Sequence, residues 1–363
     1  MQPVPWDAKP GFVVEGYWFY VEKFFAPLNL CVFYPPDTHP SPFYIITLVC
    51  AFLAVAITAV LLRNRQRALF TGWFWFIGML VPVIGIIHVG SQAYADRFSY
   101  LPSIGLSIAL LWPITQLVNT RSRVTVALFA VGAMAILITI TQRQVGFWQN
   151  TEVLYQRALA VVPNNREAIV HYGGHCEEIG LLDTAIVYYQ KALSIDEEGF
   201  SLFHLGRIYV RKNNLNAAQK CFEHALDFAP DRPEINRWLG RLWDKRNESA
   251  KALEYFRRAA ASNPDYIDAL QDFACLASSD KSISPTNAPK AIEFAQHAVG
   301  LEPENPINLA ILAAAQARAG QFSNAIQTEK QAITLAESKN NAFVVQRCKK
   351  NLAQFQRGET AGE

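Results

Sequence analysis

The chain has 363 residues, 51% hydrophobic, 12% aromatic and 18% charged, with a formal net charge of +2. That balance excludes a polybasic nucleic-acid binder and an acidic disordered chain. The charge is unevenly spread: of 33 basic and 31 acidic side chains, 14 precede residue 146 and 50 follow it, so the two halves suit different solvents.

Residues 1–36 begin with Pro3, Pro5 and Pro10 and carry no basic start followed by an apolar core. A cleavable signal or transit peptide is therefore not expected. From Val13 to Tyr34 aromatics crowd together (Tyr17, Trp18, Phe19, Tyr20, Phe24, Phe25, Phe33, Tyr34) with Glu15, Glu22 and Lys23 among them. The mixture predicts a helix lying along a membrane interface, ended by Pro35 and Pro36. An amphipathic lead-in with no role beyond packing is the alternative.

Residues 37–145 read as a transmembrane domain. Four stretches, Phe43–Leu62, Ala68–Gly90, Phe98–Val118 and Val124–Thr141, lack Asp, Glu, Lys and Arg. A crossing helix takes about 20 residues. Pro82, Pro102 and Pro113 interrupt the runs, which membrane helices tolerate because neighbours satisfy the freed backbone groups. The first connection holds Arg63, Arg65 and Arg67 and the third Arg121 and Arg123, whereas in Ser91–Arg97 one Arg is balanced by Asp96. The positive-inside rule then places the first and third loops in the cytoplasm, and the N-terminus and everything after Thr141 outside it.

Beyond the spans the sequence repeats with a period of 34. Leu205-Gly206, Tyr209, Ala218, Phe222, Ala225 and Pro230 recur as Leu239-Gly240, Trp243, Ala252, Phe256, Ala259 and Pro264. This is the tetratricopeptide pattern, with small residues where two helices touch, an aromatic filling the gap and a proline after the second helix. The register divides 146–339 into a half-repeat, 147–165, and repeats at 166–198, 199–232, 233–266, 267–305 and 306–339, with a capping helix and tail at 340–363. The expected fold class is all-α: a four-helix transmembrane bundle with an interfacial helix ahead of it and an α-solenoid behind.

Stacked hairpins of this kind bury a shared core and form a groove that binds peptide or protein segments. Arg207, Arg211, Arg237 and Arg241 fall at groove-lining positions of the central repeats, with Glu167, Glu177 and Glu178 at equivalent places in the first. A basic centre would hold an acidic peptide through bidentate guanidinium contacts. The competing reading is a solvated charged face with local pairs such as Arg241–Asp244.

Other chemistry is sparse. His88 stands alone at the end of a span. His171 and His175 lie at i, i+4 beside Cys176, but no further ligand follows at useful spacing, so no metal site is expected. Six cysteines form no CxxC pair and indicate no disulfide framework. No cofactor motif is present.

The order of parts carries a resemblance. An aromatic helix runs into Pro27-Leu28-Asn29-Leu30 and Phe33-Tyr34-Pro35; after the second span comes Ala95-Asp96-Arg97-Phe98-Ser99-Tyr100-Leu101-Pro102-Ser103, and tetratricopeptide repeats follow the last span. The chain resembles the C-terminal part of the transmembrane and tetratricopeptide-repeat-containing O-mannosyltransferase family and its bacterial relatives. The resemblance implies a C-type glycosyltransferase using a polyprenyl-phosphate sugar donor, with extracytoplasmic repeats presenting acceptor protein, in a bacterial inner membrane. In that family the catalytic carboxylates sit in an earlier outer loop, so the expectation is a remnant, split subunit or truncated gene product, with no catalytic residue assigned. Arg97 is the candidate for neutralising a lipid-linked phosphate, with Tyr94 or Tyr100 adding a hydrogen bond and Asp96 orienting the guanidinium. The alternative is a non-enzymatic membrane-anchored scaffold for envelope proteins.

Overall fold

A computed structural model describes residues 9–34, 41–84, 94–118, 123–280 and 282–361. Among these the chain is helical throughout, apart from turns and one isolated antiparallel bridge between Tyr34 and Tyr94. It divides into two compact units, Met1–Asp196 and Glu197–Glu363.

In the first unit, helix α1 spans Lys9–Phe25, ending nine residues before Tyr34 because Ala26-Pro27 cannot continue it. Its aromatics turn inward rather than lying free: Phe12, Tyr17 and Tyr20 are buried, the Tyr17 hydroxyl donates to Ile77 O at 3.1 Å, and Trp18 Nε1 to Leu48 O at 2.9 Å. Helix α2, Pro42–Leu61, starts with Ser41 accepting from Tyr44 N. Helix α3, Arg67–Leu80, is followed by a turn over Val81–Ile84, since Pro82 lacks the N–H that a longer helix needs. At 14 residues it extends only about 21 Å, short of the ~30 Å hydrocarbon core. Residues 85–93, with His88, lie outside the described region, as does Arg121. A 3₁₀ turn, Asp96–Ser99, leads into α4, Tyr100–Leu117; α5 runs Arg123–Gly146.

Among the described residues three helices are long and apolar enough to cross a membrane, Phe43–Leu61, Asp96–Gln116 and Arg123–Gly146, and the end of the expected second stretch lies outside them. Helices α3 and α4 meet through glycine. A Cβ on Gly72 would collide with the carbonyl of Gly105 and stand 2.7 Å from Ala109 N; one on Gly105 would stand 2.5 Å from Gly72 O. Small residues let helix backbones approach this closely.

The first unit ends with α6, Thr151–Val161, and the pair α7, Arg166–Glu178, and α8, Leu182–Ile195. Asn150 and Asn165 cap α6 and α7 by accepting from Val153 N and Ala168 N.

The second unit holds four helix pairs and a last helix: α9 Gly199–Arg211 with α10 Leu215–Phe228, α11 Pro233–Lys245 with α12 Ser249–Ser262, α13 Ile267–Ser279 with α14 Ala288–Leu301, α15 Pro306–Arg318 with α16 Phe322–Ser338, then α17 Ala342–Gln356. Ala218, Ala225, Ala252 and Ala259 are fully buried, and the rings of Phe222 and Phe256 fill the space left by Gly206 and Gly240. Asn213, Asn247 and Gly320 take positive φ after the first helix of their pairs, the left-handed residue that ends a helix before a sharp reversal. The segment ahead of α14 is held by Arg318, whose guanidinium donates to Ile283 O at 2.7 Å.

Under α17 sits an acid in the core. Glu329 is fully buried, accepts from Asn351 Nδ2 at 3.2 Å, and burial pushes its carboxyl from 4.5 up to about 7, against the lowering influence of Cys348, Asn351 and Arg347. The native state therefore holds a proton that the unfolded chain has released. Its contribution is fully present below pH 4.5 and lost as pH rises through 7. Glu329→Gln should flatten the decline in urea stability between those pH values, which reaches about 3 kcal/mol in the wild type; equal slopes in both proteins would refute the assignment.

Candidate functional site

The segment after α1 is a strap of residues 26–34 that turns at Asn29, at φ 54°, and is tied on both sides. Cys31 N donates to the Tyr34 hydroxyl at 2.9 Å and Cys31 Sγ to Phe33 O at 2.9 Å. The Tyr34 hydroxyl donates to the Asp96 carboxylate, 3.0 Å from Oδ1 and 3.2 Å from Oδ2. Burial and the Asp96 charge together push the Tyr34 phenol far above its usual range. Tyr20 completes the cluster: its hydroxyl donates to Ala95 O and accepts from Ala95 N, both at 3.2 Å, and burial first of all holds it at about 12.

On its other side the strap meets the repeats. Asn165, fully buried, donates from Nδ2 to Phe33 O at 2.8 Å. The Phe33 ring lies parallel to His171 at 5.2 Å and to Tyr155 at 6.3 Å. One short segment thus connects the Ala-Asp-Arg-Phe-Ser stretch with α6 and α7.

The structure separates the four residues expected to contact a lipid phosphate. Asp96 takes the Tyr34 hydroxyl. Arg97 lies 5.1 Å from the Phe98 ring. Tyr94 is a core residue, stacked on Phe12 at 5.2 Å and Phe19 at 4.9 Å, with its hydroxyl donating to Phe12 O at 3.2 Å. The aromatic face of α1 covers its ring. Tyr100 is 74% exposed, one helical turn further along. Close by is a cavity of about 160 Å³ lined by Tyr20, Lys23, Phe76, Ser99, Ser103 and Leu106. Lys23 is the cation there, donating to Leu28 O at 3.0 Å; sequence reading passed it over because it sits among aromatics rather than in a motif.

The arginines of the second unit are brought together, but with acids. Arg237 Nε donates to Asp272 Oδ2 at 2.6 Å and Arg237 Nη1 to Asp268 Oδ2 at 2.6 Å. Arg241 grips the same Asp272 with both Nε, at 2.9 Å, and Nη2, at 3.1 Å. The hydrogen bonds of Arg241 thus go to Asp272 on α13, while its charge also acts on Asp244 as a lowering influence on that carboxyl. Desolvation and the Asp272 and Asp280 charges raise the Asp244 carboxyl. The guanidinium groups of Arg207 and Arg241 each lie 5.5 Å from the Trp238 ring. Arg211 ends α9, on the last turn. Arg237 and Arg241 are thus bonded to acids of the following repeat, and Arg207 and Arg241 each also face the Trp238 ring. In the first repeat, Glu177 is buried and receives the Tyr189 hydroxyl at 3.4 Å, while Glu167 pairs with Arg166 at 2.8 Å.

Helix pairs closed by glycine against aromatic define a tetratricopeptide-repeat protein, and the profile of the tetratricopeptide repeat matches residues 203–267. That fold implies protein or peptide binding. More specifically, the chain is 21% identical over 153 residues to the human protein O-mannosyl-transferase TMTC1, a match covering 41% of this chain and 17% of that protein's length. It is 28% identical over 121 residues to the Arabidopsis thaliana protein CTR9 homolog, covering 31% of this chain and 11% of that protein. Among solved structures, the tetratricopeptide protein YrrB, described as having an unusual peptide-binding site, aligns with a TM-score of 0.44 at 18% identity, over 54% of this chain and 97% of its own.

Proposed function

We propose that the chain is a membrane-anchored tetratricopeptide module corresponding to the C-terminal part of a polyprenyl-phosphate-sugar-dependent protein O-mannosyltransferase of bacterial type. Its apolar helices sit in the inner membrane, its N-terminus and repeats lie outside the cytoplasm, and the repeats receive an acceptor or partner protein. The observation that carries this reading is the Tyr34–Asp96 hydrogen bond, which joins two segments of the resemblance that lie 62 residues apart. The partial likeness to the human O-mannosyl-transferase supports it, as does the loop charge.

In this reading Arg97 meets the lipid-linked phosphate, with Tyr100 on the exposed side and Lys23 across the neighbouring cavity. A guanidinium binds a phosphate through paired charge-assisted hydrogen bonds. The test is photo-crosslinking of a polyprenyl-phosphate probe to the full chain in membranes. Arg97→Ala should lower labelling about tenfold, as loss of a charge-assisted contact does. Unchanged labelling would sink the lipid-donor reading and leave the anchored scaffold, in which the repeats assemble envelope proteins without chemistry.

A further inference from the structure

The strap does more than link two parts of the first unit. Helix α6 is the second helix of a repeat without a first, and Phe33 supplies the ring that packs against it and α7. Recognition there has the form of a bound peptide: a buried Asn amide on a backbone carbonyl, an aromatic ring laid against two others, and an extended turn of chain. The slot is open at its rim, for His171 is exposed and Tyr155 and Phe33 are half-buried. Phe33 in the slot and Tyr34 on Asp96 are bonded to each other through Cys31. Phe33 O accepts from Asn165 and from Cys31, Cys31 N donates to Tyr34, and Tyr34 donates to Asp96, so the bonds form one chain from repeat to motif.

We propose that residues 26–34 are a coupling strap, in which seating of Phe33 against Tyr155 and His171 and seating of Tyr34 on Asp96 are a single two-state event. The slot fits an extended segment of a partner protein that carries an aromatic side chain and offers a carbonyl to Asn165. Such a segment displaces the strap and frees Asp96 at the edge of α4. A ligand shifts such an equilibrium only through contacts that differ between the two states, and here both occupants compete for the same amide and the same ring faces. The inference rests on the repeats being a protein-binding module and not on sugar transfer.

Cys31 is a built-in reporter. It belongs to the strap, its side chain is buried with Sγ bonded to Phe33 O, and burial holds the thiol at about 11, so it reacts when the strap lifts. Alkylation of Cys31 and amide exchange across 94–99 are measured together by mass spectrometry on the full chain in detergent. Asn165→Asp keeps the α7 cap but removes the donor to Phe33 O; Phe33→Ala empties the slot. Each should raise both signals by the same factor, about tenfold for the loss of one hydrogen bond to a buried group. Tyr34→Phe, made at the opposite end, should raise Cys31 alkylation alike, because coupling is reciprocal. Exchange within α3 and α4 serves as the folding control, and Phe33→Leu, which keeps the volume, should stay closer to wild type than Phe33→Ala. Faster alkylation in Asn165→Asp with unchanged exchange at 94–99 would overturn the proposal, as would no change in either signal. Polyprenyl-phosphate labelling is a separate readout, so the two readings fail separately.

Discussion

Gly72→Val and Gly105→Val should each leave little folded protein, whereas Gly78→Val on the same helix should behave almost as wild type. The difference lies in what a side chain would meet. At Gly72 it meets the backbone of Gly105 and Ala109, and at Gly105 the backbone of Gly72 and Phe76; at Gly78 nothing lies within 4 Å. Backbone atoms in a helix cannot step aside as a flexible side chain can, so α3 and α4 must separate. The loss exceeds the 1–3 kcal/mol usual for overpacking and falls in the exceptional class above about 4 kcal/mol. The measurement is the fraction remaining monodisperse after a thermal challenge in a mild detergent. Equal profiles for the Gly72 and Gly78 variants would show that the close approach carries no weight.

Phe222→Ala should destabilise the second unit by about 3–5 kcal/mol, the range for a buried aromatic truncated in a core. Phe222 is fully buried, at 6.1 Å from Phe203 and 6.4 Å from Trp238, and its ring closes over Gly206, where an added Cβ would stand 2.5 Å from it. Gly206→Val alone should also destabilise, by overpacking. Combined, the two changes should offset one another in part, since the new methyl groups enter the space the ring vacates. Urea denaturation of the four proteins gives the coupling, expected at 0.5–3 kcal/mol in the restoring direction. Strict additivity would mean that ring and glycine do not share one space.

The repeat architecture was legible because its contacts are local and recur. Gly206 and Phe222 lie 16 residues apart, and Gly240 and Phe256 repeat the spacing 34 residues on, so one pattern reveals the pairing twice. The apolar helices were legible from hydropathy, except that a run of residues without charge says nothing about where Pro82 halts α3. The strap was not legible. Its bonds span 62 residues to Asp96 and 132 to Asn165, between segments that share no period. The surroundings of Tyr94 were hidden for a related reason: the ring of Phe12 that lies across it comes from another helix. Arg237 and Arg241 share a counter-ion from the following repeat, Asp272, which carried no signal of its own.

The strap also bears on how the protein can be cut. Hydropathy invites a fragment that begins near Phe147 and keeps only the repeats. Such a fragment would strip the carbonyl from Asn165 and turn the faces of Tyr155 and His171 to water, so its first turn of array would be a wound rather than an end. Fraying there would be a property of the scissors. An excised array that is loose at its start would be reporting the loss of nine residues that precede the apolar helices in the chain.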